Sequence, residues 1–199
     1  MTGPAAPLTL ASGSAIRAAI LAGAKVAFDI VRPDVDEEAI KKAARAEGLT
    51  LHETAQRLAD AKALSVAAPG PVLGSDQILS FEGEGYDKPR TREEARARLA
   101  LLQGRPHTLI NATAIARGGR IVFRHLEEPR LSMRAMTDDE IDAYLDAAGP
   151  DILSSVGAYQ VEALGARLFE RIDGDYFAVL GLALYPVLGY LRREGLLAF

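Results

Sequence analysis

Asp76 lies in the middle of a run with the composition of a buried strand. Val72, Leu73, Ile78, Leu79 and Phe81 are strand formers bracketed by Pro71 and Gly83, yet Asp76 and Gln77 interrupt them. An ionised carboxylate inside such a strand is costly unless something pairs with it. A second charge is out of place in the preceding helical pattern. On a helix expected over 51–67, the apolar stripe at helical spacing is Leu51, Ala55, Leu58, Lys62 and Val66, so Lys62 occupies a core register. Two readings stand side by side. Lys62 snorkels its amine past a sheet edge, or it is a cation at the end of a cleft, where it meets a phosphate or Asp76.

A third group has the residue types of a phosphate cradle. Ser12, Gly13 and Ser14 follow an expected strand, open a helix, and place Arg17 one turn in. Small residues let an anion approach backbone amides at a helix start. No Gly-Lys-Ser/Thr follows, so this is not a Walker A loop, and Ser12 reads equally well as a plain helix cap. Residues 34–39, Asp-Val-Asp-Glu-Glu-Ala, concentrate carboxylates. That is either a solvated acidic helix start or a source of hard oxygen ligands for a divalent cation. Lys88, Arg105 and His107 fall in expected turns around the second central helix, where surface loops are the plain alternative.

These side chains need elements to hold them. Thr50 with Glu53, Thr91 with Glu94, and Thr137 with Glu140 each have capping-box spacing, predicting helices near 51–67, 92–103 and 138–148. Gly104 and Gly149 are natural stops for the last two. Further helices are expected from about Ser14 to Gly23 and from about Leu184 to Glu194. Strands are expected at Leu8–Ala11, Ala27–Val31, Pro71–Leu79, Thr108–Arg117, Arg120–Glu128 and Ala166–Arg171, with Arg117-Gly118-Gly119-Arg120 as a hairpin turn. Strands interleaved with helices plus one hairpin predict an α/β fold: a mixed, twisted sheet flanked by helices, one domain over 1–199 with two lobes.

Composition narrows the chemistry. The 199 residues are 49% hydrophobic and 25% charged, with a formal net charge of −4, so no basic field favours non-specific nucleic-acid binding. Cysteine is absent, which excludes disulfides, thiolate metal sites and cysteine nucleophiles. No basic residue precedes the apolar part of the N-terminus, and 176–191 is too short and too broken by Gly and Pro to span a bilayer. The expectation is a soluble, cytoplasmic protein without membrane or nucleic-acid partners, with a homodimer left open.

The pieces occur together, in order, in the Maf family of nucleoside triphosphate pyrophosphatases, which the chain resembles over nearly its whole length. The matching runs are Leu10-Ala11-Ser12-x-Ser14-x-x-Arg17, Val35-Asp36-Glu37, Ala61-Lys62-Ala63, Gly74-Ser75-Asp76-Gln77, Lys88-Pro89, Gly104-Arg105-x-His107, and Gly157-Ala158-Tyr159 followed by Glu162. The closing Gly174-Asp175-Tyr176 and Val179 to Leu182 resemble the family's ending. The resemblance implies a fold similar to the inosine triphosphatases, with a central cleft between two lobes. It implies that Ser12, Ser14 and Arg17 bind substrate, that Glu37 and Asp76 hold Mg²⁺ or Mn²⁺, and that Lys62 and Lys88 line the polyphosphate path. Asp76 is then the catalytic carboxylate. Gly-Ser-Asp-Gln with Glu162 resembles the branch acting on 7-methyl-GTP, which makes Gln77 and Glu162 specificity residues.

Two departures bear on activity: Ala18 stands where the resemblance leads one to expect a second arginine, and Ala183 where it leads one to expect proline. They motivate a rival reading, a nucleotide-binding regulatory protein with little turnover. An inosine or xanthosine triphosphatase is a second rival, sharing architecture but not these motifs.

Overall fold

The computed structural model describes residues 6–199. Part of the N-terminal leader reading falls on residues 1–5 and lies outside them. Among the described residues no helix is long and apolar enough to cross a membrane.

Among the described residues, eight strands and seven α-helices follow one another: β1 (Leu8–Ala11), α1 (Ala15–Gly23), β2 (Phe28–Val31), α2 (Glu37–Ala46), α3 (Leu51–Leu64), β3 (Val72–Phe81), β4 (Glu84–Tyr86), α4 (Arg92–Leu102), β5 (Pro106–Arg117), β6 (Arg120–Glu127), β7 (Arg130–Met133), α5 (Asp138–Ala148), β8 (Phe169–Asp173), α6 (Tyr176–Val179) and α7 (Leu184–Arg193). Two short 3-10 turns, Pro150–Ser154 and Leu164–Leu168, precede β8. The strands hydrogen-bond in the order β2-β1-β3-β5-β7-β8, with β4 on β3 and β6 on β5. Pairs β1/β2 and β1/β3 are parallel, and β3/β4, β5/β6, β5/β7 and β7/β8 antiparallel, so the sheet is mixed as expected.

The chain divides into two compact units. The first comprises Met1–Asp76, Asn111–Glu127 and Gly181–Phe199, and the second Gln77–Ile110 and Glu128–Leu180. In the first, α2 packs on α3 and α3 packs on β6. Its fully buried side chains include Leu10, Leu21, Leu58, Leu73 and Ile115. In the second, α4 packs on α5, over a core that contains Leu79, Phe81, Leu99, Leu102, Leu131 and Met133.

Local chemistry sets the boundaries. Thr50 and Thr137 make complete capping boxes with Glu53 and Glu140. Thr91 caps α4 through the Glu94 amide, but Glu94 turns its own carboxylate to the Arg90 N–H, so the box is only half formed. Gly118 and Gly119 both take positive φ, 57° and 73°, which lets a two-residue turn join β5 to β6. The expected strand at Ala166–Arg171 begins later, because Leu164–Leu168 winds into a 3-10 turn.

Candidate active site

In the first unit the sequence-predicted acids and bases converge. α3 is held on β3 at Gly74, where an added Cβ would lie 2.3 Å from the Ala59 carbonyl and 2.6 Å from the Ala63 amide nitrogen. That backbone contact brings Lys62 to the strand position two residues on. Lys62 Nζ lies 2.7 Å from Asp76 Oδ1 and 2.9 Å from Glu37 Oε1. Lys62 and Asp76 are 7% and 6% exposed, so this is a buried pair. The snorkelling reading of Lys62 is therefore corrected: its amine ends on two carboxylates. Glu37 is the first residue of α2, whose N-cap Asp36 accepts from the Ala39 N–H at 2.9 Å. The acidic 34–39 segment is thus a capped helix start that also delivers a carboxylate to Lys62.

The expected phosphate cradle lies in the same unit. Ser14, not Ser12, is the N-cap of α1, accepting from the Arg17 N–H at 3.5 Å. Ser12 is buried behind it, and its hydroxyl accepts from the Ser14 N–H at 3.1 Å and from Arg17 Nη1 at 3.4 Å. Arg17 is committed to the protein more heavily than a simple phosphate reader would be. Its Nε donates to the Gly181 carbonyl at 2.7 Å and its Nη1 to the Ser75 carbonyl at 2.8 Å. Burial lowers its pKa from the ordinary value, and the negative charges of Asp76 and Glu37 oppose that shift. It remains a cation, since an arginine does not deprotonate in a protein.

Two further residues, Ser75 and Asn111, brace Asp76, and the motif reading assigned them no role. Ser75 Oγ donates to the Gly181 carbonyl at 2.9 Å. Asn111, wholly buried, reaches the Asp76 carbonyl at 3.5 Å through Nδ2 and accepts from the Ala183 N–H at 3.2 Å through Oδ1. The signal was present: Asn111 is the one amide in a run of Leu, Ile, Ala and Thr, and such a group needs partners when buried.

Gln77, Lys88 and Glu162 belong to the second unit. Gln77 Nε2 donates to the carbonyls of Ala178 and Val179 at 2.8 and 3.2 Å, which spends both amide hydrogens and leaves Oε1 as its acceptor. Lys88 and Glu162 are exposed. The charge of Glu162 still bears on Tyr144, whose pKa is pushed up to about 12, first by burial. His107 departs from the surface-turn reading. It lies within β5, 2% exposed, with Nε2 2.6 Å from the Tyr159 hydroxyl. Arg105 does stay exposed, stacked over the Phe81 ring at 4.4 Å and ion-paired with Glu82.

Over nearly its whole length the chain is similar to known proteins. The family of Maf-like proteins matches residues 7–194. A nucleoside triphosphate pyrophosphatase of Hyphomonas neptunium is 48% identical over 187 residues, covering 93% of this chain and 94% of its own. The chain belongs to the Maf family. A nucleoside triphosphate pyrophosphatase of Caulobacter vibrioides is 45% identical, covering 96% of this chain and 97% of its own. Nucleoside triphosphate pyrophosphatase 1 of a Jannaschia species is 46% identical, covering 96% and 98%. The Maf resemblance read from the motifs is borne out.

Proposed function

We propose that this Maf protein hydrolyses the α–β phosphoanhydride of a nucleoside triphosphate, releasing a nucleoside monophosphate and pyrophosphate. The observation that carries the reading is the buried Lys62 ammonium shared by Asp76 and Glu37. The family relatives named as nucleoside triphosphate pyrophosphatases support the same reaction class.

A polyphosphate repels an incoming oxygen nucleophile, so the site must neutralise charge and aim a water in line. Asp76 orients that water and takes its proton. The water oxygen bonds to phosphorus as the bridging P–O bond breaks, and the pair of electrons leaves on pyrophosphate. Lys62 and the remaining Nη2 of Arg17 offset the phosphate charge, while Ser12 and Ser14 shape the turn against which the phosphate rests.

The donor set fits a hard divalent ion. Glu37 Oε1 and Asp76 Oδ1 both lie within 2.9 Å of one cationic nitrogen, so two carboxylate oxygens already surround a single cation position. Among the described residues no group of three or more His, Asp or Glu side chains could hold a metal. Two carboxylates plus phosphate oxygens and waters is the arrangement Mg²⁺ and Mn²⁺ take. Such an ion would neutralise phosphate charge when bound, held by Glu37 and Asp76.

We favour 7-methyl-GTP as the nucleotide, with Gln77 and Glu162 reading the base. A carboxylate matches the two adjacent donors of a guanine edge, and methylation adds a positive charge that strengthens the pairing. The test is product analysis on a nucleotide panel. Monophosphate plus pyrophosphate supports the reading; binding without turnover supports the regulatory alternative.

A further inference from the structure

We propose that Lys62 is a built-in competitor of the divalent ion: in the free protein its ammonium holds the place between Glu37 and Asp76, and metal binds well only when phosphate oxygens draw that ammonium away. The inference rests on the metal-dependent reading above.

The geometry sets up the competition. Lys62 Nζ contacts Glu37 Oε1 at 2.9 Å and Asp76 Oδ1 at 2.7 Å, so an ion bridging the same two oxygens must occupy the same space. The electrostatics point the same way. Glu37 and Asp76 are matched by Lys62 and Arg17, whose guanidinium feels both carboxylates, and the four formal charges cancel. A divalent ion entering that neutral group, where Lys62 and Asp76 are buried and the Glu37 side chain is 43% exposed, brings two positive charges with no counter-anion, which the buried side of the group penalises. A triphosphate supplies the missing negative charge. It also gives the displaced ammonium somewhere to go.

The lysine can move while its helix stays. α3 is seated on β3 through the Gly74 contact, and the Lys62 carbonyl accepts from Ser65 Oγ at 3.0 Å, so the backbone is anchored. The four-carbon stem carries a compact point charge through several rotatable bonds. Lys62 therefore has two successive partners, the carboxylates before substrate arrives and the phosphates after. Metal and nucleotide then enter together rather than in sequence.

The test is Mn²⁺ binding to nucleotide-free protein, followed by the electron paramagnetic resonance signal of free Mn²⁺. Lys62→Met keeps the stem and removes the competing charge; Lys62→Arg keeps a cation and is the second variant. Lys62→Met is expected to bind Mn²⁺ about tenfold more tightly than wild type, or better. Lys62→Arg should stay as weak as wild type, and adding Glu37→Gln to Lys62→Met should abolish the gain. Far-ultraviolet circular dichroism checks that each variant is folded. Equal or weaker Mn²⁺ binding by folded Lys62→Met overturns the proposal, as does a gain that survives Glu37→Gln. Failure of the underlying reading looks different: wild-type enzyme would then hydrolyse nucleotides at full rate in the presence of a chelator.

Discussion

The guanidinium of Arg17 donates to the main-chain carbonyl of Ser75 at 2.8 Å, tying the first turn of α1 to the residue before Asp76. The same side chain holds the Gly181 carbonyl at 2.7 Å, where φ is +104°. Arg17 thus orients the middle of β3, which presents the proposed catalytic carboxylate, besides any charge it lends to phosphate. Arg17→Lys keeps the charge and loses the fork. A charged hydrogen bond contributes about 1.5–3 kcal/mol, and a lysine cannot replace two at this geometry. The expected result is a fall in kcat of about tenfold or more together with a lower urea midpoint. A change confined to KM, with stability intact, would make Arg17 a phosphate ligand only.

Gly74 has a steric reason to be glycine. A Cβ there would meet the Ala59 carbonyl at 2.3 Å, which is backbone and cannot swing aside. Gly74→Ala must push α3 off β3 and carry Lys62 from Asp76. We expect a loss of about 1–3 kcal/mol in unfolding free energy, the usual range for overpacking, and a larger proportional loss in kcat/KM. Chemical denaturation and steady-state kinetics on the same preparation check both.

His107 gives the fold an acid sensitivity. Burial, with the positive charge of Arg98 adding to it, lowers its pKa from 6.5 to about 4. The unfolded chain therefore binds a proton on this residue at pH values where the folded chain does not. Stability contributed by the neutral ring is present above the unfolded value and is lost as pH falls from 6.5 towards 4. Between pH 7 and pH 5 the loss is about 2 kcal/mol. His107→Gln cannot titrate, so its unfolding free energy should fall less than that of wild type over the same interval. Identical pH slopes in the two proteins would remove His107 from the account of acid stability.

Much of the candidate site was legible because charges in the wrong register are conspicuous. Lys62 in an apolar stripe and Asp76 in an apolar strand each demanded a partner, and they partner each other. The helix starts were equally plain from Thr and Glu spacing at Thr50, Thr91 and Thr137, although at Thr91 the neighbouring Arg90 N–H took the Glu94 carboxylate and left the box half formed. What escaped had no local pattern. β4 and β7 are three and four residues long: β4 is fixed by pairing with the neighbouring β3 across a two-residue turn, and β7 by pairing with β5 and the distant β8. In the 3-10 turn before β8, a Cβ at Gly165 would sit 2.5 Å from the Gln160 carbonyl, a close local approach that no apolar periodicity announces. The acids at 34–39 were legible as a helix start, but the body of α2 to Ala46 was not followed from the sequence.

Base choice is the next expectation. With both Gln77 amide hydrogens held by the Ala178 and Val179 carbonyls, the residue offers an acceptor, and Glu162 offers two more. Uracil and thymine present one ring N–H between two carbonyls, so a carboxylate there faces repelled acceptors. Wild type should have a higher kcat/KM for 7-methyl-GTP than for dTTP or UTP. Glu162→Gln should shrink that preference by about tenfold or more, since a site built around unpaired polar groups discriminates strongly, with little effect on stability because Glu162 is exposed. A wild-type preference for dTTP or UTP would refute this base assignment and leave the hydrolysis itself untouched.

The most direct test of Asp76 as the catalytic carboxylate is the rate and product of hydrolysis by wild type and Asp76→Asn, with Mg²⁺ present and nucleotides resolved by anion-exchange chromatography. Asparagine keeps the shape, and removing the charge frees Lys62 from its 2.7 Å partner. Wild type is expected to release monophosphate and pyrophosphate in equal amounts, and folded Asp76→Asn to be slower by about a hundredfold or more, the usual scale for losing a positioned general base. Hydrolysis by folded Asp76→Asn near the wild-type rate, or release of diphosphate and inorganic phosphate by wild type, would contradict it.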